Sequence, residues 1–163
     1  PLAMDLGCGA GRDSLALLAA GWRVIAIDRQ REAMAELERR VPPALRHRLE
    51  PRTGDIRTEP WGSADLVVAS FVLHTLAPPD FRALWATIPA SLRPRGRFAG
   101  HFIGKHDTWA GRDDMSTFSR DDLHHLLNGL EVEFWAEREN DGETATGRAK
   151  HWHVHHIVAR RTA

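Results

Sequence analysis

The chain has a single cysteine, Cys8, in 163 residues, so no internal disulfide can staple the fold. It also lacks an excess of charge of either sign. Lysine plus arginine number 22 and aspartate plus glutamate 22, and a neutral chain projects no field toward phosphate backbones or anionic lipid. Nucleic acid and membranes are therefore not expected partners. Long apolar runs are missing as well: the stretch from Ala64 to Leu73 is broken by Asp65 and Ser70 and falls short of the ~20 residues of a membrane span. No pattern of basic, apolar and small residues opens the chain as a secretory leader would, and with one thiol the cytoplasm is the expected compartment. No Pro/Gly/Ser tract suggests a linker.

What is there has the make-up of a folded domain, 42% apolar and 27% charged. Residues 1–163 read as one domain. The sequence opens at Pro1 directly inside its first strand, which raises the expectation that a leading N-terminal helix is missing. Nothing in the sequence fixes the oligomeric state.

Strand and helix signals alternate along the chain. Leu2-Ala3-Met4 runs into a glycine-rich turn, after which Leu15 to Ala20 reads as a helix ending at Gly21. Arg23 to Asp28 is a short, nearly continuous apolar run, as a strand buried on both faces should be, and Arg31 to Arg40 carries helix formers. Leu49 to Ile56 offers a third strand, Ala64 to Ser70 a fourth, and Asp80 a cap for a helix through Ile88. Arg97 to Ile103 reads as a fifth strand, and Ser119 with Asp122 starts a further helix through Leu127. Val132 to Glu139 and Trp152 to Arg160, joined by a turn at Asn140-Asp141-Gly142, predict an antiparallel hairpin. The expected fold is thus α/β: a Rossmann-like doubly wound sheet, mostly parallel, with ligands at the carboxyl ends of its strands.

Those strand ends carry the chemistry. Gly7, Gly9 and Gly11, around Cys8, leave the backbone free to approach a ligand, and the helix that follows presents unpaired N–H groups. A plain tight turn is the plainer reading of the glycines. A dinucleotide fingerprint requires a third glycine where Arg12 stands, which disfavours NAD. Asp5 suits a ligand with a free amino group. Asp28, 17 residues beyond Gly11, can accept bonds from both hydroxyls of a ribose, or simply cap the next helix. Asp55 can accept from an adenine amine with Ile56 packed on the ring, or serve as a turn aspartate. Three acids and three glycines at successive strand ends are harder to assign to chance than any one alone.

Met4 to Gly11, Val24 to Asp28, Gly54-Asp55 and Leu92-Arg93-Pro94-Arg95-Gly96 resemble motifs of class I S-adenosylmethionine-dependent methyltransferases, over nearly the whole chain. Asp5 to Ser14, Ala19 to Trp22 and the tail Gly147 to His153 are similar to the small tellurite-resistance-type members. The usual glycine pair before strand five appears here as Arg95-Gly96. The resemblance implies sheet order 3-2-1-4-5-7-6 and S-adenosylmethionine as cofactor. By it, Asp5 and the loop hold the methionine part, Asp28 the ribose and Asp55 the adenine amine, with Arg29, Ile56 and Ser70 completing the site. It further implies methyl transfer, and a small molecule or metalloid oxyanion is the expected acceptor, since there is no basic stripe, no separate recognition domain and no Asn-Pro-Pro-aromatic tetrad after strand four. A nicotinamide-dependent oxidoreductase and a non-catalytic cofactor-binding domain are the alternatives.

On the acceptor side, His74 after strand four and His106 after strand five are candidate general bases, each matched by a packing role. His151, His153 and His155 share one strand face, a spacing that metal sites also use. A partly exposed hairpin face explains them without an ion, and no metal is expected.

Overall fold

A computed structural model describes residues 1–144 and 146–162. Its strands are β1 (Leu2–Leu6), β2 (Arg23–Asp28), β3 (Leu49–Thr53), β4 (Ala64–Ala69), β5 (Leu92–Ile103), β6 (Leu130–Glu143) and β7 (Ala149–Arg161). Among the described residues they form one seven-stranded sheet in the order β3-β2-β1-β4-β5-β7-β6. The first five pair in parallel, while β7 lies antiparallel between β5 and β6. This is the order that the resemblance implies.

The helices α1 (Arg12–Ala19) and α2 (Arg31–Arg40) cover one face, and α3 (Pro78–Ser91) and α4 (Arg120–Leu126) the other. Strand periodicity explains the division. In β2, Val24 and Ala26 join Leu18, Met34 and Leu37 under α1 and α2. Ile25 and Ile27 point the opposite way, into a larger cluster with Met4, Leu6, Trp85, Phe98 and Phe102. Two covered faces put both layers of β1, β2 and β4 out of water, which is why these strands read as continuous apolar runs.

Several boundaries differ from the sequence reading; β5, for one, begins at Leu92 rather than Arg97. Helix α3 begins at Pro78 with Ala77 as its cap, because proline at the first helical position supplies the right φ and needs no N–H partner, so Asp80 lies in the first turn. β3 stops at Thr53, which leaves Gly54, Asp55 and Ile56 free as a loop. The hairpin turn falls between Glu143 and Ala149. Asn140, Asp141 and Gly142 are strand residues opposite Trp152, His151 and Lys150. There the cross-strand Asp141–His151 and Glu139–His151 contacts extend the ladder beyond the expected turn.

No helix among the described residues is long and apolar enough to cross a membrane.

Candidate functional site

The carboxyl ends of the parallel strands meet in a cleft of about 260 Å3, near the lower end of the range usual for small-molecule sites. Gly7, Asp28, Arg29, Asp55, Ile56 and Phe71 are among its lining residues. The loop after β1 is docked onto the end of β2, since the N–H groups of Gly7 and Cys8 both donate to the Ile27 carbonyl, at 2.8 and 3.1 Å. Gly7 has φ +68°, and a Cβ there would collide with the Val72 side chain, so the tip of β4 can press on this loop only if residue 7 is glycine.

Asp28 fixes the loop from the other side. One carboxylate oxygen accepts the Gly9 N–H at 2.8 Å and the other accepts the Gln30 N–H, also at 2.8 Å. Each oxygen retains a lone pair for a ligand hydroxyl. Asp55 is more fully engaged. Arg57 donates to it from its backbone N–H and from Nε and Nη2, at 2.6 to 3.0 Å, and Nη1 of the same guanidinium reaches Asp80 at 2.7 Å. These bonds hold the Asp55 carboxyl below its ordinary range. The sequence reading had no place for Arg57, although its spacing two residues past Asp55 suits an Asx-type turn that folds the chain back on the acid.

Asp5, Cys8, Gly9, Gly11 and Ser70 are not among the residues that line the cleft. Asp5 is sealed beneath the loop, 1% exposed, and accepts the Ser14 hydroxyl at 2.6 Å, with burial raising its pKa to about 6. Its support therefore reaches the loop through α1. The Cys8 sulfur rests 3.4 Å from the Met34 sulfur, and burial pushes the thiol pKa up, so Cys8 is an unreactive packing residue. Gly11, at the start of α1, donates its N–H to the Cys8 carbonyl at 2.9 Å, and Ser70 directly follows β4.

Beyond the cleft stands a layer of rings. Phe71, at the rim with φ +52°, stacks on His101 at 4.2 Å and meets Trp152 edge-on at 6.1 Å. Trp109 lies against Trp152 and stacks on His74. The ammonium of Lys150 sits between the two tryptophans, 4.1 and 3.9 Å from their ring centres, and is paired with Asp107, both side chains buried. Asp107 in turn accepts the N–H groups of Trp109 and His153 at 3.0 Å, which ties the loop after β5 to β7. His74 is 6% exposed, burial lowers its pKa to about 4, and its Nδ1 has no partner among the described residues. It is neutral at pH 7. His106 is exposed, with Nδ1 3.3 Å from Glu139.

Of the tail histidines, His151 keeps a partly exposed side chain, whereas His153 and His155 are buried, 4% and 0% exposed. The last two are buried because other rings cover them: His106 stacks on His153 and Trp135 lies edge-on against His155.

A doubly wound sheet that ends in an antiparallel hairpin, with a cleft at its carboxyl edge, defines a Rossmann-like domain. Within that class the chain belongs to the methyltransferase domain family, whose model matches residues 4–98. It is 39% identical over 98 residues to the carboxy-S-adenosyl-L-methionine synthase of Erwinia tasmaniensis, covering 56% of this chain and 39% of that protein. It is 34% identical over 77 residues to the magnesium-protoporphyrin O-methyltransferase of Rhodobacter capsulatus, covering 47% of this chain and 34% of that protein. The chain thus spans about two fifths or less of the length of these relatives. Among solved structures, TehB from Haemophilus influenzae superposes with a TM-score of 0.82 at 18% identity, over 99% of this chain and 57% of that one.

Proposed function

We propose that this domain binds S-adenosylmethionine in the cleft between the ends of β1, β2 and β3 and transfers its methyl group to a small-molecule acceptor. The observation that carries the reading is the convergence of Gly7, Asp28 and Asp55, from three different strand ends, on one cleft. The residues present fit such a group. A Cβ at Gly9 would have nothing within 4 Å, so the loop borders open space where bulky ligand atoms can approach bare backbone. Asp28 keeps lone pairs free for a diol while its carboxylate is held still by two backbone N–H groups. Arg29 and Ile56 supply a polar and an apolar wall.

The cofactor's sulfonium supplies an already activated methyl group. The work left to the chain is alignment and exclusion of water. Asp5, through Ser14, and Asp28, through Gly9, hold the loop, with Cys8 and Gly11 packing its far side and Ser70 at the tip of β4. Asp55 offers its carboxylate to the adenine amine and shares it with Arg57. Phe71 closes the rim toward the ring layer. Of the two candidate bases His74 has an unpartnered ring nitrogen, but burial, which lowers its pKa to about 4, makes it a weak proton acceptor, and it lies outside the cleft lining. His106 lies outside the cleft lining, beside Glu139.

Among acceptors, small molecules are favoured, in keeping with the neutral charge balance. The test is a screen of small acceptors with methyl-labelled cofactor. Label appearing in one acceptor, and lost in Asp28→Ala, supports the reading; transfer of hydride from NADH in the same preparation without any methyl transfer contradicts it. Full activity in His74→Ala would remove the base and leave alignment alone.

A further inference from the structure

Four of the ten histidines gather in one place that the proposed reaction does not use. The hairpin register sets acids opposite the histidines of β7: Glu137 faces His155, Glu139 faces His153 and Asp141 faces His151. His106 comes to the same patch from the loop after β5, whose Gly104 N–H donates to the His153 carbonyl at 2.7 Å. Acids absent from the neighbouring sequence are thus supplied across the strand pair.

From this arrangement we infer that His106, Glu139 and His153 form a binding site for a divalent transition-metal ion such as Zn2+. One ligand atom from each of the three lies within 4.8 Å of the others. Ligands about 2.0–2.1 Å from a tetrahedral ion stand ~3.3 Å apart, and His106 Nδ1 is already 3.3 Å from a Glu139 oxygen. Two imidazoles and one carboxylate are a donor set suited to zinc and its first-row neighbours rather than to Ca2+ or Mg2+.

The protonation of His153 is set for the role. Its Nδ1 accepts the His106 backbone N–H at 3.2 Å, so that nitrogen carries a lone pair. Its Nε2, 2.8 Å from Glu137, is then the protonated one and donates to that carboxylate. A ring that gives its second N–H to a carboxylate is the usual arrangement behind a metal ligand, because it fixes the tautomer and strengthens the donor. Coordination would replace the long Nδ1 bond and leave the Glu137 bond in place. The stacked rings of His106 and His153, 4.8 Å apart and 23° from parallel, cannot aim both lone pairs at one point. Binding therefore requires the exposed His106 ring to turn out of the stack and the His106 backbone N–H to move off His153 Nδ1, a shift of the loop after β5 as well as a rotamer change.

A neighbouring group, Glu137, His153 and His155, also brings three donors together. It is the poorer site. The Arg120 guanidinium donates to Glu137 at 3.0 Å and would stand beside the ion, and His155 Nδ1 already accepts the Trp135 indole N–H at 3.2 Å. Three protein ligands in the favoured group leave a fourth position open to water or to an oxygen of another molecule.

The test is a calorimetric titration of the chelator-treated full chain with ZnCl2, followed by Co2+ for its visible spectrum. One ion per chain is expected, with the intense absorption of four-coordinate cobalt. His106→Ala, Glu139→Gln and His153→Ala should each weaken Zn2+ binding at least tenfold, while His47→Ala, exposed on the short 3-10 helix before β3, should not. Circular dichroism and S-adenosylhomocysteine binding report whether each variant folds, and the exposed pair His106 and Glu139 carries the test should His153→Ala fail to do so. Absence of saturable stoichiometric binding overturns the proposal. So does binding that survives His106→Ala and Glu139→Gln, or that is lost only in His155→Ala and Glu137→Gln.

Discussion

The backbone N–H of Gly9 donates to a carboxylate oxygen of Asp28 at 2.8 Å, so the glycine loop after β1 and the acid ending β2 form one mechanical unit. Removing the acid should therefore do two things. Asp28→Ala deletes a charge-assisted bond to a ligand diol, worth ~1.5–3 kcal/mol, and frees the loop it steadied. S-adenosylhomocysteine affinity is expected to fall about 10–100-fold, measured by calorimetry. A change of less than twofold would mean that the diol is held elsewhere.

Gly7→Ala acts on the fold before it acts on binding. The left-handed backbone costs about 1–2 kcal/mol for a residue with a Cβ, and the new methyl meets Val72. Urea denaturation should show a loss of about 2 kcal/mol or more. Adding Val72→Ala should relieve the collision and leave the backbone cost, so the double variant should fall between wild type and Gly7→Ala.

Asp55 should matter less than Asp28. Its two oxygens already accept four bonds from Arg57, so an incoming amine gains only what it takes from the guanidinium. Asp55→Ala is expected to weaken S-adenosylhomocysteine by about tenfold or less, one hydrogen bond's worth. Arg57→Met, which frees the carboxylate, should bind more tightly than wild type. Weaker binding in Arg57→Met than in wild type would show that Arg57 presents the acid rather than competing for it.

Much of the cleft was legible because parallel strand ends are local in sequence. Each of Gly7, Asp28 and Asp55 sits at the end of its own strand or within two residues of it, and the alternation of strands and helices is enough to bring those ends together. What depended on register was not legible. Moving the hairpin turn from residues 140–142 to the segment between Glu143 and Ala149 decides which acids face His151, His153 and His155, and no local pattern fixes that turn. The enclosure of Lys150 between Trp109 and Trp152 joins residues some forty apart, beyond the reach of periodicity. The depth of Asp5 escaped for another reason: an acid beside glycines reads as a ligand contact, yet the loop closes over it and Ser14 takes its oxygen.

Burial sets the response to acid. His74, His101 and His155 are lowered to about 4 from an ordinary 6.5. As pH falls from 6.5 toward 4, the unfolded chain binds protons that the folded chain refuses, so these groups remove stability. Asp5, raised to about 6, works in the opposite direction between 6 and 3.8, because its folded form takes up the proton first. Three groups against one predict a net loss of stability on going from pH 7 to 4.5, read as a lower urea midpoint. Asp5→Asn should steepen that loss by removing the opposing group. A midpoint that rises on acidification would contradict the assignment of neutral buried histidines.

On the proposed reading the glycine loop, Asp28 and Asp55 together hold S-adenosylmethionine and its demethylated product. Titrating the purified chain with S-adenosylhomocysteine and, separately, with NAD tests it most directly. One saturable site for S-adenosylhomocysteine, weakened in Asp28→Ala, and no heat from NAD is the expected result. Saturable NAD binding with no affinity for S-adenosylhomocysteine would contradict it.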